Sequence, residues 1–290
     1  MRSGFVPVVG RPNVGKSTLI NAIVGTKVSI ISDRPQTTRA AIRGILDRED
    51  LQIVFVDTPG VHRPRTALGS RLNGIVAGAM SDADAVVLVI DGTGSVGPGD
   101  RLIAERLRHT DTPVVCVVNK TDAAGPARTL ERLAEAAEWD FAAYVPVSGL
   151  TGEQVGAVVE ELARLLPEGP RYFPTGMPTD QREEFIISEA IREKFLSRLR
   201  DELPHSLAVV VDDLEHRDDG LLAVSARVVV ERDSQKGIVI GKGAGLLRDA
   251  GTEARVELEA RLGRAVHLDL RVVVEKDWQE RPGIIERLGL

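Results

Sequence analysis

Near its start the chain carries Gly10-Arg11-Pro12-Asn13-Val14-Gly15-Lys16-Ser17, followed by Thr18. This order of residue types suits a phosphate chain. Glycines let backbone N–H groups close around phosphate oxygens without Cβ clashes. Lys16 can reach β- and γ-phosphates, and the Ser17 hydroxyl is a hard oxygen ligand for Mg2+. Asp57-Thr58-Pro59-Gly60 follows the apolar run Ile53–Val56. An aspartate there suits a water-mediated Mg2+ contact, and Gly60 can offer its N–H to a γ-phosphate. Asn119-Lys120-Thr121-Asp122 ends the run Val114–Val118. The Asp122 carboxylate can accept two hydrogen bonds, from the N1–H and 2-amino groups of guanine. Adenine lacks that donor pair and would leave the acceptors unpaired. Asn119 can brace the loop, and the Lys120 stem can cover the base face. In Gln36-Thr37-Thr38-Arg39, a threonine can ligate Mg2+ and sense the γ-phosphate, Thr38 being favoured over Thr37.

These residues need a scaffold that delivers them to one edge. Up to about residue 166, short apolar strands alternate with helical patterns. The expected strands are Phe5–Val9, Ala41–Leu46, Leu51–Val56, Ala85–Ile90, Val114–Val118 and Tyr144–Val147. Helices are expected from Lys16, and over Gly99–Arg108, Ala127–Trp139 and Glu153–Leu166. This alternation predicts an α/β domain, a mainly parallel sheet with helices on both faces. The strand pair at 41–56 turns at Asp47-Arg48-Glu49-Asp50 and predicts one antiparallel edge. Pro167-Glu168-Gly169-Pro170, with Pro174, Gly176 and Pro178, signals a linker. The expected organisation is residues 1–166, a linker at 167–180, and a second domain at 181–290.

Past the linker the pattern changes to an α+β order, α-β-β-α-α-β. A helix is expected over Glu184–Leu203, strands at Leu207–Val211, Leu222–Glu231 and Val266–Val274, and a helix at Leu246–Arg261 with a break near Gly251. The glycine-rich stretch Gly237–Gly245 is expected to join the second strand to a helix. The chain has 290 residues, a net charge of −6 and one cysteine, Cys116, read as core packing. A disulfide framework and a multi-cysteine zinc site are excluded. Neither half is basic, so nucleic-acid binding must rest on a local site. No run approaches the ~18 apolar residues of a membrane span, and no leader peptide is expected.

Taken together, the first motifs resemble the translation-factor-type P-loop GTPases, over residues 4–166. Ser148-Gly149-Leu150 stands where that family places a loop whose backbone meets the guanine oxygen, with Gly149 in place of the usual alanine. The resemblance implies GTP and GDP as ligands, Mg2+ as cofactor, and Ser17, Thr38 and Asp57 as its ligands. Val61 occupies the position where Ras-like enzymes carry a water-orienting glutamine. This is similar to a subclass with a hydrophobic residue there, which implies slow intrinsic hydrolysis. Some of that subclass use K+ held partly by a P-loop asparagine, which Asn13 matches. Lys16, Thr38, Asp57, Gly60 and Asn13 are thus expected to carry the reaction. His62 is read as a solvated loop residue.

The loop Gly241-Lys242-Gly243-Ala244-Gly245 looks like the I-G-x-x-G loop of a KH domain, with the topology of the type II form. Such loops clamp single-stranded RNA by close backbone approach. The strict G-x-x-G is absent, because Ala244 holds its fourth position. Lys242 and Arg248 are candidate phosphate contacts. A P-loop GTPase followed by a type II KH domain resembles the Era family of bacterial ribosome-assembly GTPases. Further matches are Ala190-Ile191-Arg192-Glu193-Lys194, Val228-Val229-Val230-Glu231-Arg232, Ala265-Val266-His267-Leu268, Trp278 and Arg287-Leu288-Gly289. The resemblance implies binding near the 3′ end of 16S rRNA, a role in 30S subunit assembly, a cytoplasmic monomer, and peripheral contact with the inner face of the cell membrane. The other reading open to the residues is a GTPase whose second domain binds a protein.

Overall fold

A computed structural model describes residues 1–34, 37–60 and 66–290. The chain divides into two compact units, the larger holding most of the described residues up to Asp180 and the smaller holding Gln181–Leu290 together with Ser32–Arg34 and the described residues 66–68.

The larger unit is built on β1 (Arg2–Val9), α1 (Lys16–Val24), β2 (Ile42–Arg48), β3 (Leu51–Asp57), α2 (Ala67–Ser81), β4 (Val86–Asp91), α3 (Pro98–Arg108), β5 (Val114–Asn119), α4 (Thr121–Ala137), β6 (Ala143–Pro146) and α5 (Val155–Leu165). The six strands order as β2-β3-β1-β4-β5-β6. Only the β2–β3 pair is antiparallel, as the charged turn between them predicts. Within the strands, side chains of alternating residues enter opposite cores. Val87 and Val89, with Val115 and Val117, face the helices α1 and α5. Val86, Leu88 and Ile90, with Val114, Cys116 and Val118, face α2, α3 and α4. Burial on both faces explains why these strands read as unbroken apolar runs.

Two helices depart from expectation. No helix is expected at 67–81, because Gly69, Gly74 and Gly78 depress helix propensity there. The signal that outweighs them is Leu68, Leu72 and Val76, four residues apart and all buried. The helix expected at Ala127 does start there, with Pro126 in its first turn, where proline is at home. Not expected is the short helical segment that precedes it from Thr121, separated from it by the non-helical Gly125 (φ 75°, ψ 166°). Residues 167–180 lie along β2 and β3. The Gln52 side chain bonds Tyr172 N and Phe173 O, and Ile45 N donates to Pro178 O.

The smaller unit runs α6 (Glu183–Leu196), β7 (Ala208–His216), β8 (Leu222–Val230), α7 (Asp233–Ile240), α8 (Gly245–Leu262), β9 (Val266–Val274) and α9 (Pro282–Arg287). Its sheet orders as β7-β8-β9, with β7–β8 antiparallel and β8–β9 parallel. The first helix stops at Leu196 rather than Leu203, and Asp201 beyond it takes a left-handed φ of 55°. The glycine-rich loop joins two helices rather than a strand and a helix, because Asp233–Ile240 is itself helical. The break expected near Gly251 is absent: α8 is continuous, and a Cβ at Gly251 would lie 3.2 Å from Leu270 Cδ1. That glycine serves helix-to-strand packing. Trp278 is fully buried and donates from Nε1 to Ser206 O at 3.1 Å.

Candidate nucleotide and RNA sites

The carboxyl ends of the parallel strands β1, β3, β5 and β6 share one edge of the sheet, and every nucleotide motif hangs from that edge. β1 has β3 on one side and β4 on the other. The crevice outside such a switch in strand order is where open α/β sheets hold ligands. The loop after β1 turns into α1 through Gly15, which sits at the cap with φ 94° and no side-chain bond to the free N–H groups. Those groups remain available to an anion. Both fixed glycines are close-approach positions. A Cβ at Gly10 would lie 2.4 Å from Val89 O, and one at Gly15 would lie 2.3 Å from Asn119 Nδ2.

Lys16 folds back on its own loop and donates to Gly10 O at 3.3 Å and Arg11 O at 3.0 Å. Burial pushes its ammonium down to about 8, against the opposing pull of Asp57. Ser17 Oγ donates to Asp57 Oδ2 at 2.7 Å, and Thr38 Oγ1 to the same oxygen at 3.2 Å. The two hydroxyls are 3.3 Å apart. Burial raises the Asp57 carboxyl, while Lys16 and the hydroxyls of Ser17, Ser29 and Thr38 pull it back down. Asp57 Oδ1 is buried and accepts no hydrogen bond from the described residues. An orphaned carboxylate oxygen beside two hydroxyls is a hard-oxygen donor set, which fits Mg2+. Thr58 Oγ1 donates to Val8 O at 2.8 Å, tying this strand end to β1. A Cβ at Gly60 would lie 2.8 Å from Pro12 N, so Gly60 lies directly against the phosphate loop.

Asn119 joins three loops. Its Nδ2 donates to Val14 O at 2.9 Å, and its Oδ1 accepts from Gly149 N at 2.9 Å. Thr121 N donates to Val147 O at 3.1 Å. Ser148 Oγ donates to Asp122 Oδ1 at 2.6 Å, which aims the carboxylate. Asp122 lies within the first turn of α4, past the capping position that Lys120 fills. Gly149 accepts its departure from alanine easily, since a Cβ there would press on Leu19 N and Cα at 3.2 Å. Leu150 is exposed. The structure thus brings together Lys16, Ser17, Thr38, Asp57 and Gly60 on one side, and Asn119, Lys120, Asp122, Ser148 and Gly149 on the other. Asn13 is exposed, with φ 64°. Gln36, Val61 and His62 lie outside the described residues.

Sequence reasoning missed two aspartates here. Asp100, in the first turn of α3, binds Arg11 Nη1 at 3.0 Å and accepts from Gly97 N at 2.9 Å. Asp91 ends β4 and binds Lys120 Nζ at 2.6 Å. The available signal for Asp91 was its place: like Asp57 and Asn119, it is the polar residue that closes an apolar strand.

In the smaller unit, three residues of the glycine loop have positive φ: Gly241 (75°), Gly243 (60°) and Ala244 (59°). A Cβ at Gly241 would lie 3.0 Å from Leu246 N. Ala244 therefore takes the left-handed conformation that a glycine would take more cheaply, while Gly245 is ordinary right-handed helix with φ −63°. Arg248 Nη2 donates to Gly243 O at 3.0 Å and braces the loop, and Lys242 is exposed. Beside the loop, between α8 and β9, lies a groove of about 300 Å3, lined by Ala244, Leu247, Arg248, Gly251, Arg255 and Leu270 among others. An apolar floor flanked by guanidiniums can take bases and phosphates together.

Strand order, phosphate loop and guanine-reading segments define a P-loop GTPase unit, joined in one chain to a KH unit. A family described as 50S ribosome-binding GTPase matches residues 5–120, and a KH domain family matches residues 202–279. GTPase Era of Mycolicibacterium paratuberculosis is 53% identical over 294 residues, covering 99% of this chain and 98% of the relative. GTPase Era of Mycobacterium tuberculosis is 52% identical over the same shares. A crystal structure of an Aquifex aeolicus Era variant bound to GDP and AlF4− matches with a TM-score of 0.96 at 37% identity, over 100% of this chain and 99% of that one. Era in complex with Mg-GDPNP and nucleotides 1506–1542 of 16S ribosomal RNA matches with the same score, identity and coverage. The chain belongs to the Era family of GTPases.

Proposed function

We propose that the protein is a GTP-driven switch that binds the 3′ region of 16S rRNA and assists assembly of the 30S subunit. The observation that carries the nucleotide half is the meeting of Ser17, Thr38 and Asp57 beside the buried Lys16. In this reading residues 1–166 form the nucleotide domain, 167–180 connect, and 181–290 form the RNA domain. Bound Mg2+, held by Ser17, Thr38 and Asp57, supplies charge neutralisation at the β- and γ-phosphates. Lys16 and the N–H groups of the loop and of Gly60 stabilise charge that develops on the phosphates. Asn119, Asp122 and the backbone of Ser148-Gly149-Leu150 select guanine. Asn13 would hold K+, if this chain uses it, and the ion would supply further positive charge at the phosphates; the position of Asn13 in the loop motif supports this assignment. Gly241, Lys242, Gly243, Ala244, Gly245 and Arg248 form the RNA contact.

The small subunit is favoured over the large one named in the family description, because a relative alike over its full length carries 16S rRNA nucleotides. RNA is favoured over a protein partner because Ala244 preserves the backbone course that the missing glycine would give. The monomeric state, the cytoplasmic location and the peripheral membrane contact rest on family membership alone. Among the described residues no helix is long and apolar enough to cross a membrane.

Fluorescence anisotropy of a labelled 16S rRNA 3′-end oligomer tests the switch, with protein loaded with a non-hydrolysable GTP analogue or with GDP at one salt concentration. Tighter binding in the triphosphate state is expected. Equal affinity in the two states rules out a switch, since a ligand without differential affinity shifts nothing.

A further inference from the structure

Asp91 belongs to no motif, yet its carboxylate is fully organised. Oδ1 accepts from Thr93 N at 2.9 Å and from Thr93 Oγ1 at 2.6 Å. Oδ2 accepts from Lys120 Nζ at 2.6 Å. The same ammonium donates to Asn13 O at 2.7 Å. Neighbouring backbone fixes the arrangement from below. Asp91 pairs with Asn119 across β4 and β5, and Gly92 N donates to Asn119 O at 2.8 Å. A Cβ at Gly92 would lie 2.8 Å from that oxygen, so the two strand ends approach closely.

We infer that Asp91 is a positioning residue for the nucleotide site: by holding the Lys120 ammonium it ties the guanine-reading segment to the phosphate loop at Asn13. A free lysine head carries much rotamer entropy and is a mobile point charge. Exposed ion pairs are weak for that reason. This pair differs because three hydrogen bonds fix the carboxylate and a fourth contact fixes the lysine head on Asn13. Asn13 is itself held in the left-handed region at φ 64°, and Lys120 at φ 67°. Both residues thus depend on an outside tether to keep their course. Losing the Asp91 charge frees Lys120, loosens Asn13, and lets bound nucleotide leave faster. Burial alone would raise the Asp91 carboxyl, but the Lys120 and Thr93 hydrogen bonds prevail and hold it below its ordinary range, so it stays charged at neutral pH.

This inference rests on the nucleotide reading above, and a double-mutant cycle on the full chain separates the two. Release of a fluorescent GDP is measured by stopped flow for the wild type, Asp91→Asn, Lys120→Met and the double variant. Asp91→Asn is expected to release GDP about tenfold faster, the scale of one charge-assisted hydrogen bond. In the Lys120→Met background it should add nothing, because Asp91 acts through the lysine. Asp91→Glu should restore release to within about threefold of the wild type. Release within twofold of the wild type in Asp91→Asn, or additive effects in the double variant, would overturn the inference while leaving the GTPase reading intact. A wild type that binds no GDP would overturn both. Should Asp91→Asn not fold, Thr93→Val takes its place: it removes the Oγ1 hydrogen bond that orients the Asp91 carboxylate and so frees that carboxylate to swing away from Lys120. Faster release there supports the tether, and unchanged release overturns it.

Discussion

Lys16 is buried among carbonyl groups, and the loss of solvent brings its ammonium from 10.5 down to about 8. A phosphate chain arriving beside it would favour the charged form and raise that value again. The sign follows from linkage. Above about pH 8 the free protein holds Lys16 largely neutral while the nucleotide complex holds it charged. Binding then takes up a proton, and GDP affinity falls as pH rises from 8 toward 9. Calorimetry at pH 8.5 in two buffers of different ionisation enthalpy should give uptake of roughly half a proton or more per GDP bound, as the shifted value implies. No uptake would mean that Lys16 does not meet the phosphates. Asp57 titrates in the same cluster with an opposite shift, so Lys16→Met is the control that must abolish the uptake.

The glycine loop between α7 and α8 shows how local backbone demands survive a broken motif. Gly241 and Ala244 both lie in the left-handed region, but only Gly241 also lies against Leu246. Ala244→Gly should therefore stabilise the smaller unit by about 0.5–1 kcal/mol, the left-handed cost of alanine less the added freedom of the unfolded glycine. It should also leave RNA affinity undiminished. Gly241→Ala should do the reverse, with a loss of about 1–3 kcal/mol from strain and the contact with Leu246. Urea unfolding followed by Trp278 fluorescence in a Trp139→Phe background, together with RNA titration, measures both. A destabilised Ala244→Gly would mean that the alanine methyl packs usefully in the groove. Gly251 carries the opposite lesson, because it looks like a helix break in the sequence and proves to be a packing position against β9.

The chain as a whole is acidic, with a net charge of −6. Attraction to RNA must then come from a few local cations, and affinity should fall steeply with salt through those alone. Arg248 sits at the glycine loop and Arg255 further along the same groove, where it also pairs with Glu259 at 2.9 Å. Replacing Arg248 by alanine should lower the slope of log affinity against log salt by about one, with little change in base preference. Arg255→Ala should lower it less, since Glu259 already neutralises that charge. Titrations of the rRNA oligomer at four salt concentrations test this, and an unchanged slope for Arg248→Ala would place the phosphate contacts elsewhere.

The candidate phosphate and guanine motifs were legible in the residues because they are short-range patterns. Gly10, Gly15, Lys16, Ser17, Asp57, Asn119 and Asp122 all lie at or within a few residues of a strand end, and strand ends are marked by apolar runs. The mainly parallel sheet with helices on both faces was nearly as legible, since unbroken Val/Ile/Leu segments require cover on both faces, while the order of its strands was decided only by the structure. What the residues left open was set by contacts between segments distant in the chain. The helix Ala67–Ser81 forms despite its glycines because Val76 enters the core shared with β4 and β5, with Met80 packed against it. Gly251 stays helical because Leu270 lies against it. Asp91 gains a role only when β4 and β5 pair and carry it to Lys120. Local pattern determined which groups form the candidate nucleotide site, and long-range packing, whose partners no local window contains, decided what holds those groups in place.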